Sequence, residues 1–171
     1  DLSAPPDAVM QASDDAASLA QNPVHQMSQC AFPIIGAING VAITGGFELA
    51  LGCDIMIGST KARFRDTHCR FGIAPCWGLS QKLARIVGSQ RASVASFTSQ
   101  WIDAATAKSW GLLVDVVEPA ELMNAAREIA EGITANDGKT VAYFKHVLQS
   151  GLQMPLGDGL KMERVKAVTF Y

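Results

Sequence analysis

The sequence predicts an α/β fold in which short strands alternate with helices at first, and helices alone complete the chain. Three observations carry that reading. Apolar, β-branched runs within Pro33–Asn39 and at Ile55–Ile57 flank a helix-forming run, Phe47 to Leu51. Leu79, Leu83, Ile86 and Val87 fall at helical spacing and are followed by Gly88, a helix stop. In the C-terminal third, Leu122, Ala125, Ile129 and Ile133 form one apolar stripe and Val141, Phe144, Leu148 and Leu152 another.

Taken in order, Asp1–Gln21 is rich in Asp, Ala, Ser and Pro, and reads as a surface loop leading into a helical stretch over 14–29. Pro33–Asn39 reads as a buried strand ending in the turn pair Asn39-Gly40. Gly45-Gly46 then opens a helix. Ile55–Ile57 and Ala62–Phe64 are expected to be extended, and 66–78, broken by Gly72, Pro75 and Gly78, an irregular connection. Helices are expected over 79–87, 91–98 and 104–110, and a strand over 112–117.

Composition narrows the function. With 171 residues and 49% hydrophobic content the chain can bury one substantial core. A net charge of −2 leaves no electrostatic footprint for nucleic acid or a membrane surface. Four cysteines, Cys30, Cys53, Cys69 and Cys76, form neither CxxC pairs nor Cys/His clusters, so reduced thiols in an intracellular compartment are expected rather than zinc. Val41–Ile57 is apolar, yet Glu48, Asp54 and glycines interrupt it, so it reads as buried core and not as a membrane span. The opening Asp1-Leu2 carries no basic start followed by an apolar run, so no signal peptide is visible.

The chemistry concentrates at the glycine corner. Free backbone N–H groups at a helix start, beside residues with little side chain, make a site for negative charge. Glu48 is the only charged side chain between Pro33 and Asp54. A Walker A loop is excluded because no Lys-Ser/Thr pair follows Gly46, and no GxGxxG follows the strand. Gly78-Leu79-Ser80 lacks the second glycine of a nucleophile elbow. What survives is an oxyanion site of backbone amides, each donor contributing about 3–4 kcal/mol to a developing enolate, with a carboxylate nearby to handle a proton or a water. The plainer alternatives are a structural buried carboxylate at Glu48 and a mere tight turn at Gly45-Gly46.

The run PIIGAINGVAITGGFELALGCDI, then ARF, GIAPCWGLSQKLARIVG and the A-x-x-A-x-x-x-G-L-x-x-x-V pattern over 104–116, resembles the crotonase superfamily, specifically enoyl-CoA hydratases of the plant peroxisomal monofunctional type. The resemblance implies a spiral of ββα units with a helical C-terminal extension. It divides the chain into a C-terminal portion of the α/β core over 1–118 and a truncated, trimerisation-type helical region over 119–171. It implies hydration of 2-enoyl-CoA thioesters in fatty-acid β-oxidation, with no cofactor beyond the coenzyme A of the substrate, a homotrimer or hexamer, and a peroxisomal address. Isomerase chemistry and a non-catalytic, CoA-ester-binding subunit are the alternatives.

Carried over position by position, Gly45 resembles the glycine whose amide is the second oxyanion donor, and Glu48 the first family glutamate, which positions and activates the water. Gly46, Ala42, Trp77 and Gly78 are the expected substrate contacts, although Trp77 reads more readily as packing than as an acyl-chain contact. The second family glutamate, which supplies the α-proton, is replaced by His68, expected either as a proton donor or as a plain hydrogen-bonded histidine. Asp66 and Cys69 receive no role, Phe71 reads as packing, and Lys145 and Lys161 read as exposed lysines rather than phosphate ligands. Asp1-Leu2 resembles the end of the G-x-D-L loop that supplies the first oxyanion donor, so a fragment is expected.

Overall fold

The computed structural model describes residues 16–171, and the expected surface loop falls largely outside them. The chain divides into two compact units, one of residues 1–29 and 34–126, the other of 30–33 and 127–171.

In the first unit, α1 (Ala16–Gln21) and α2 (Pro23–Ser28) replace the single helix expected over 14–29. Asn22 caps α2 by accepting the His25 N–H at 3.0 Å, and Pro23 occupies its first turn, so the chain restarts there. Two short sheets follow. β1 (Ile35–Ile38), β3 (Ile55–Ser59) and β6 (Asp115–Val117) form a parallel sheet in the order β1-β3-β6. The second sheet has the order β2 (Val41–Ile43), β4 (Arg63–Arg65), β5 (Ile102–Asp103), with β2 and β4 parallel and β4 and β5 antiparallel.

Each pass of the chain therefore lays one strand in each sheet. β1 turns through Asn39-Gly40 into β2, α3 (Gly45–Gly52) carries the chain back, and β3 then turns into β4. Successive turns are tied together: Ser59 Oγ donates to Asn39 O at 3.2 Å, and Arg63 N–H donates to Gly40 O at 3.0 Å. This is the ββα spiral. Two strands were not legible: β2 was absorbed into the glycine corner and β5 is two residues long. The strand expected over 112–117 begins at Asp115, because Leu112 and Leu113 are core plugs in the turn before it.

α4 (His68–Phe71) sits inside the stretch expected to be irregular. α5 (Leu79–Val87) has the expected bounds, α6 (Ser89–Thr98) begins two residues early, and α7 (Ala104–Ser109) is capped by Asp103, which accepts the Thr106 N–H at 2.8 Å. The core gathers Phe47, Leu51, Phe64, Leu83, Ile102 and Leu113 with their neighbours. Not all of Val41–Ile57 joins it, since Val41 and Ile43 alternate outward on β2 around buried Ala42. Ile86 and Phe71 are likewise exposed.

Gly58 marks the tightest point. A Cβ there would lie 2.6 Å from Leu113 Cδ1 and 3.1 Å from Ala62 Cβ, both inside the packed core. Gly58→Ala is expected to destabilise the protein by about 1–3 kcal/mol, read as a lower urea midpoint at unchanged slope.

α8 (Leu122–Thr134) crosses the division between the units. In the second unit, α9 (Gly138–Gly151) and α10 (Leu156–Phe170) pack on one another, with the rings of Tyr143 and Phe170 4.5 Å apart. The apolar stripe of Val141, Phe144, Leu148 and Leu152 largely faces outward. Lys145 and Val147 are the buried residues of α9, Lys145 Nζ donating to Phe32 O at 2.9 Å, whereas Phe144, Leu148 and Leu152 are exposed. Lys145 is thus no exposed lysine.

Candidate active site

The site is assembled by α3, the end of β4 and the start of α5. Thr44, the residue before α3, holds φ +50° with ψ −109°, a positive-φ conformation that a β-branched residue adopts at an energetic cost of order 1–3 kcal/mol. Its position is fixed by the Thr44 N–H bond to Arg65 O at 3.0 Å and by a hydroxyl contact with Thr67. The result is that α3 starts at Gly45. Its first amides have no intrahelical partner, and among the described residues the only side chain near a Cβ at Gly45 would be Trp77, whose ring comes within 3.4 Å. Gly46 is exposed, with open space where a Cβ would stand.

Glu48, one turn in, points away from solvent and is 3% exposed. Its Oε1 accepts two backbone N–H groups, from Trp77 at 2.9 Å and Leu79 at 3.3 Å. Gly78 makes that fork possible. At φ +104° it turns the chain between the two amides and delivers the N-terminus of α5 to the carboxylate. One oxygen of Glu48 is therefore fully engaged, and Oε2 faces His68 Nε2 at 3.9 Å.

His68 is itself buried at 4% exposure and held from behind. Its Nδ1 lies 2.6 Å from Asp66 Oδ1, and the same oxygen accepts its backbone N–H at 3.0 Å. Asp66 is 2% exposed. Sequence reading assigned Asp66 nothing, although Asp-x-His is a signal for a side chain that accepts the amide two residues on. Around this line, burial and then the Glu48 charge push the Cys76 thiol upward from its usual range. Burial pulls the Lys82 amine downward, with Asp54, Cys53 and Glu48 opposing.

The structure thus brings Gly45, Glu48, His68, Trp77 and Gly78 together. Ala42 lies in the packed core on β2, next to Phe64 in register, and Gly46 borders the open side of the α3 start. Among the described residues no group of three or more His, Cys, Asp or Glu side chains is arranged to hold a metal ion, and no helix is long and apolar enough to cross a membrane.

The description "Enoyl-CoA hydratase/isomerase" belongs to a family that matches residues 8–170. The chain belongs to the enoyl-CoA hydratase/isomerase family. Within this family, the "Probable enoyl-CoA hydratase 1, peroxisomal" of Arabidopsis thaliana is 50% identical over 150 residues, covering 88% of this chain and 57% of that protein. The "Short-chain-enoyl-CoA hydratase" of Clostridium acetobutylicum is 43% identical over 131 residues, covering 77% of this chain and 50% of that protein. The crystal structure of an enoyl-CoA hydratase from Bacillus anthracis superposes with a TM-score of 0.84 at 35% identity, covering 90% of this chain and 60% of that one. The chain spans half to three fifths of the length of these relatives. Its fold is that of the crotonase superfamily.

Proposed function

We propose that the protein carrying this chain is an enoyl-CoA hydratase, a lyase that adds water across the 2,3 double bond of 2-enoyl-CoA thioesters. The observation that carries the reading is the buried Glu48, with one oxygen bound by two amides and the other turned toward His68, beside the free amides that open α3. Hydration needs both parts. A carboxylate oxygen positions the attacking water by accepting a hydrogen bond from it, and helix-start amides accept the charge that moves onto the thioester oxygen. Gly45 N–H serves as the oxyanion donor, Trp77 and Gly46 border the thioester, and Gly78 sets the Glu48 fork; Ala42 supports the site from the core. Coenzyme A enters as part of the substrate, with no other cofactor. The test is loss of the enoyl-thioester absorbance of a short 2-enoyl-CoA with the full-length protein. Binding without turnover would overturn the hydratase reading.

On the division of labour along the chain, 1–118 supplies the C-terminal portion of the α/β core and 119–171 a trimerisation-type helical region. The exposed Phe144, Leu148, Leu152, Leu156 and Leu160 on α9 and α10 support a homotrimer or hexamer, since a continuous apolar face of this size marks an interface. Sedimentation of the full-length protein is expected at three or six times the monomer mass, and Leu152→Asp is expected to shift it toward monomer. A wild-type monomer would overturn the assembly. The peroxisomal name of the Arabidopsis relative supports a peroxisomal address, which imaging of a tagged full-length protein checks.

A further inference from the structure

We infer that Asp66 and His68 work as a dyad in which His68 Nε2 carries the proton of the attacking water to the α-carbon, while Asp66 fixes and charge-balances the ring. The inference rests on the hydratase reading and deepens it. Asp66 Oδ1 lies 2.6 Å from His68 Nδ1 and also accepts the backbone N–H of His68, so Nδ1 is the ring nitrogen that keeps its hydrogen. Nε2 is then a free acceptor, aimed at Glu48 Oε2 from 3.9 Å. That separation is too long for a direct hydrogen bond and short enough for one water, set off the line, to lie about 2.8 Å from both.

Such a water would donate one hydrogen to each acceptor, which leaves a lone pair for attack. Glu48 is poorly suited to be the group that moves, because its Oε1 is tied to two amides. His68 has no such tie on Nε2 among the described residues.

The step balances without any co-reactant. The water oxygen bonds to the β-carbon as one of its O–H bonds breaks toward His68 Nε2, and the 2,3 π pair moves onto the thioester as an enolate. The imidazolium, matched by the Asp66 carboxylate, then returns that proton to the α-carbon, and the enolate reverts to the thioester. His68 and Glu48 end as they began. Asp66 touches no reacting atom and is a positioning residue.

The test uses the full-length protein with ring-¹⁵N histidine and a short 2-enoyl-CoA. The signal of His68, one of three histidines in this chain, is assigned as the one lost in His68→Gln. The neutral ring is expected as the Nδ1–H tautomer in the wild type and as a mixture in Asp66→Ala. Asp66→Ala is expected to lower kcat a hundredfold or more with KM changed less than threefold. Asp66→Asn, which keeps an accepting oxygen and loses the charge, is expected to lower it at least tenfold and serves if the alanine variant does not fold. The double variant Asp66→Ala/His68→Gln is expected within threefold of His68→Gln alone, because two members of one unit do not add. An Nε2–H tautomer in the wild type, wild-type turnover in Asp66→Asn, or multiplicative losses in the double variant would overturn the dyad while leaving the hydratase reading intact. An inactive wild-type protein would remove both.

Discussion

Glu48→Gln is expected to slow hydration of a short 2-enoyl-CoA by a hundredfold or more, because the attacking water loses the carboxylate that positions and activates it. The substitution keeps the side-chain shape, and the amide oxygen can still accept the Trp77 and Leu79 N–H groups that now meet Oε1. What changes is the other terminus. An NH₂ group then faces His68 where Oε2 stood, so two donors replace an acceptor and a water there loses one of its anchors. Because the fork to α5 survives, the melting temperature is expected to move little while kcat falls. Retention of more than a tenth of the wild-type rate would remove Glu48 from the chemistry.

The largest effect on stability is expected from Phe64→Ala, at about 3–5 kcal/mol. Phe64 is wholly buried on β4, its ring 5.1 Å from that of Phe47 on α3, and it pairs in register with Ala42 on one side and Ile102 on the other. Removing it opens a void where both strands and the helix meet, and none of those backbones can close it without breaking a ladder. Against a typical total of roughly 5–15 kcal/mol, that is enough to unfold a fraction of the molecules at working temperature. Equilibrium urea denaturation reads it directly. Phe97→Ala is the control, because Phe97 is 74% exposed and its loss is expected within about 0.5 kcal/mol. Equal effects at the two positions would mean that this core is misplaced.

How much of this was legible depended on whether a residue's role is local. α5 was read to the residue, because Leu79, Leu83 and Val87 repeat at helical spacing and Gly88 takes φ +85° where few other residues can. Gly45-Gly46 opening a helix before Glu48 was equally local. The break at Asn22-Pro23 was present in the sequence as a cap followed by a first-turn proline, and was overridden by the helical run around it. β2 and β5 were not legible, since three- and two-residue strands owe their conformation to the ladder with β4 and not to their own pattern. For α9 the stripe itself was real, but periodicity says only which residues share a face; exposure of Phe144, Leu148 and Leu152 depends on what else packs there. The Glu48 fork was invisible for a different reason: its donors are backbone amides, and a sequence names side chains.

The spiral winding also bears on how the protein reaches its native state. Glu48 finds Leu79 only 31 positions further along and Ser59 finds Asn39 after 20, so these contacts join neighbouring turns of the chain. Loop-closure entropy grows only with the logarithm of the span, and short spans favour fast folding. The catalytic groups come together as a by-product of neighbouring turns zipping onto each other. A lesion such as Phe64→Ala, placed where two turns join, should therefore slow the appearance of activity during refolding more than it slows the gain of helical signal.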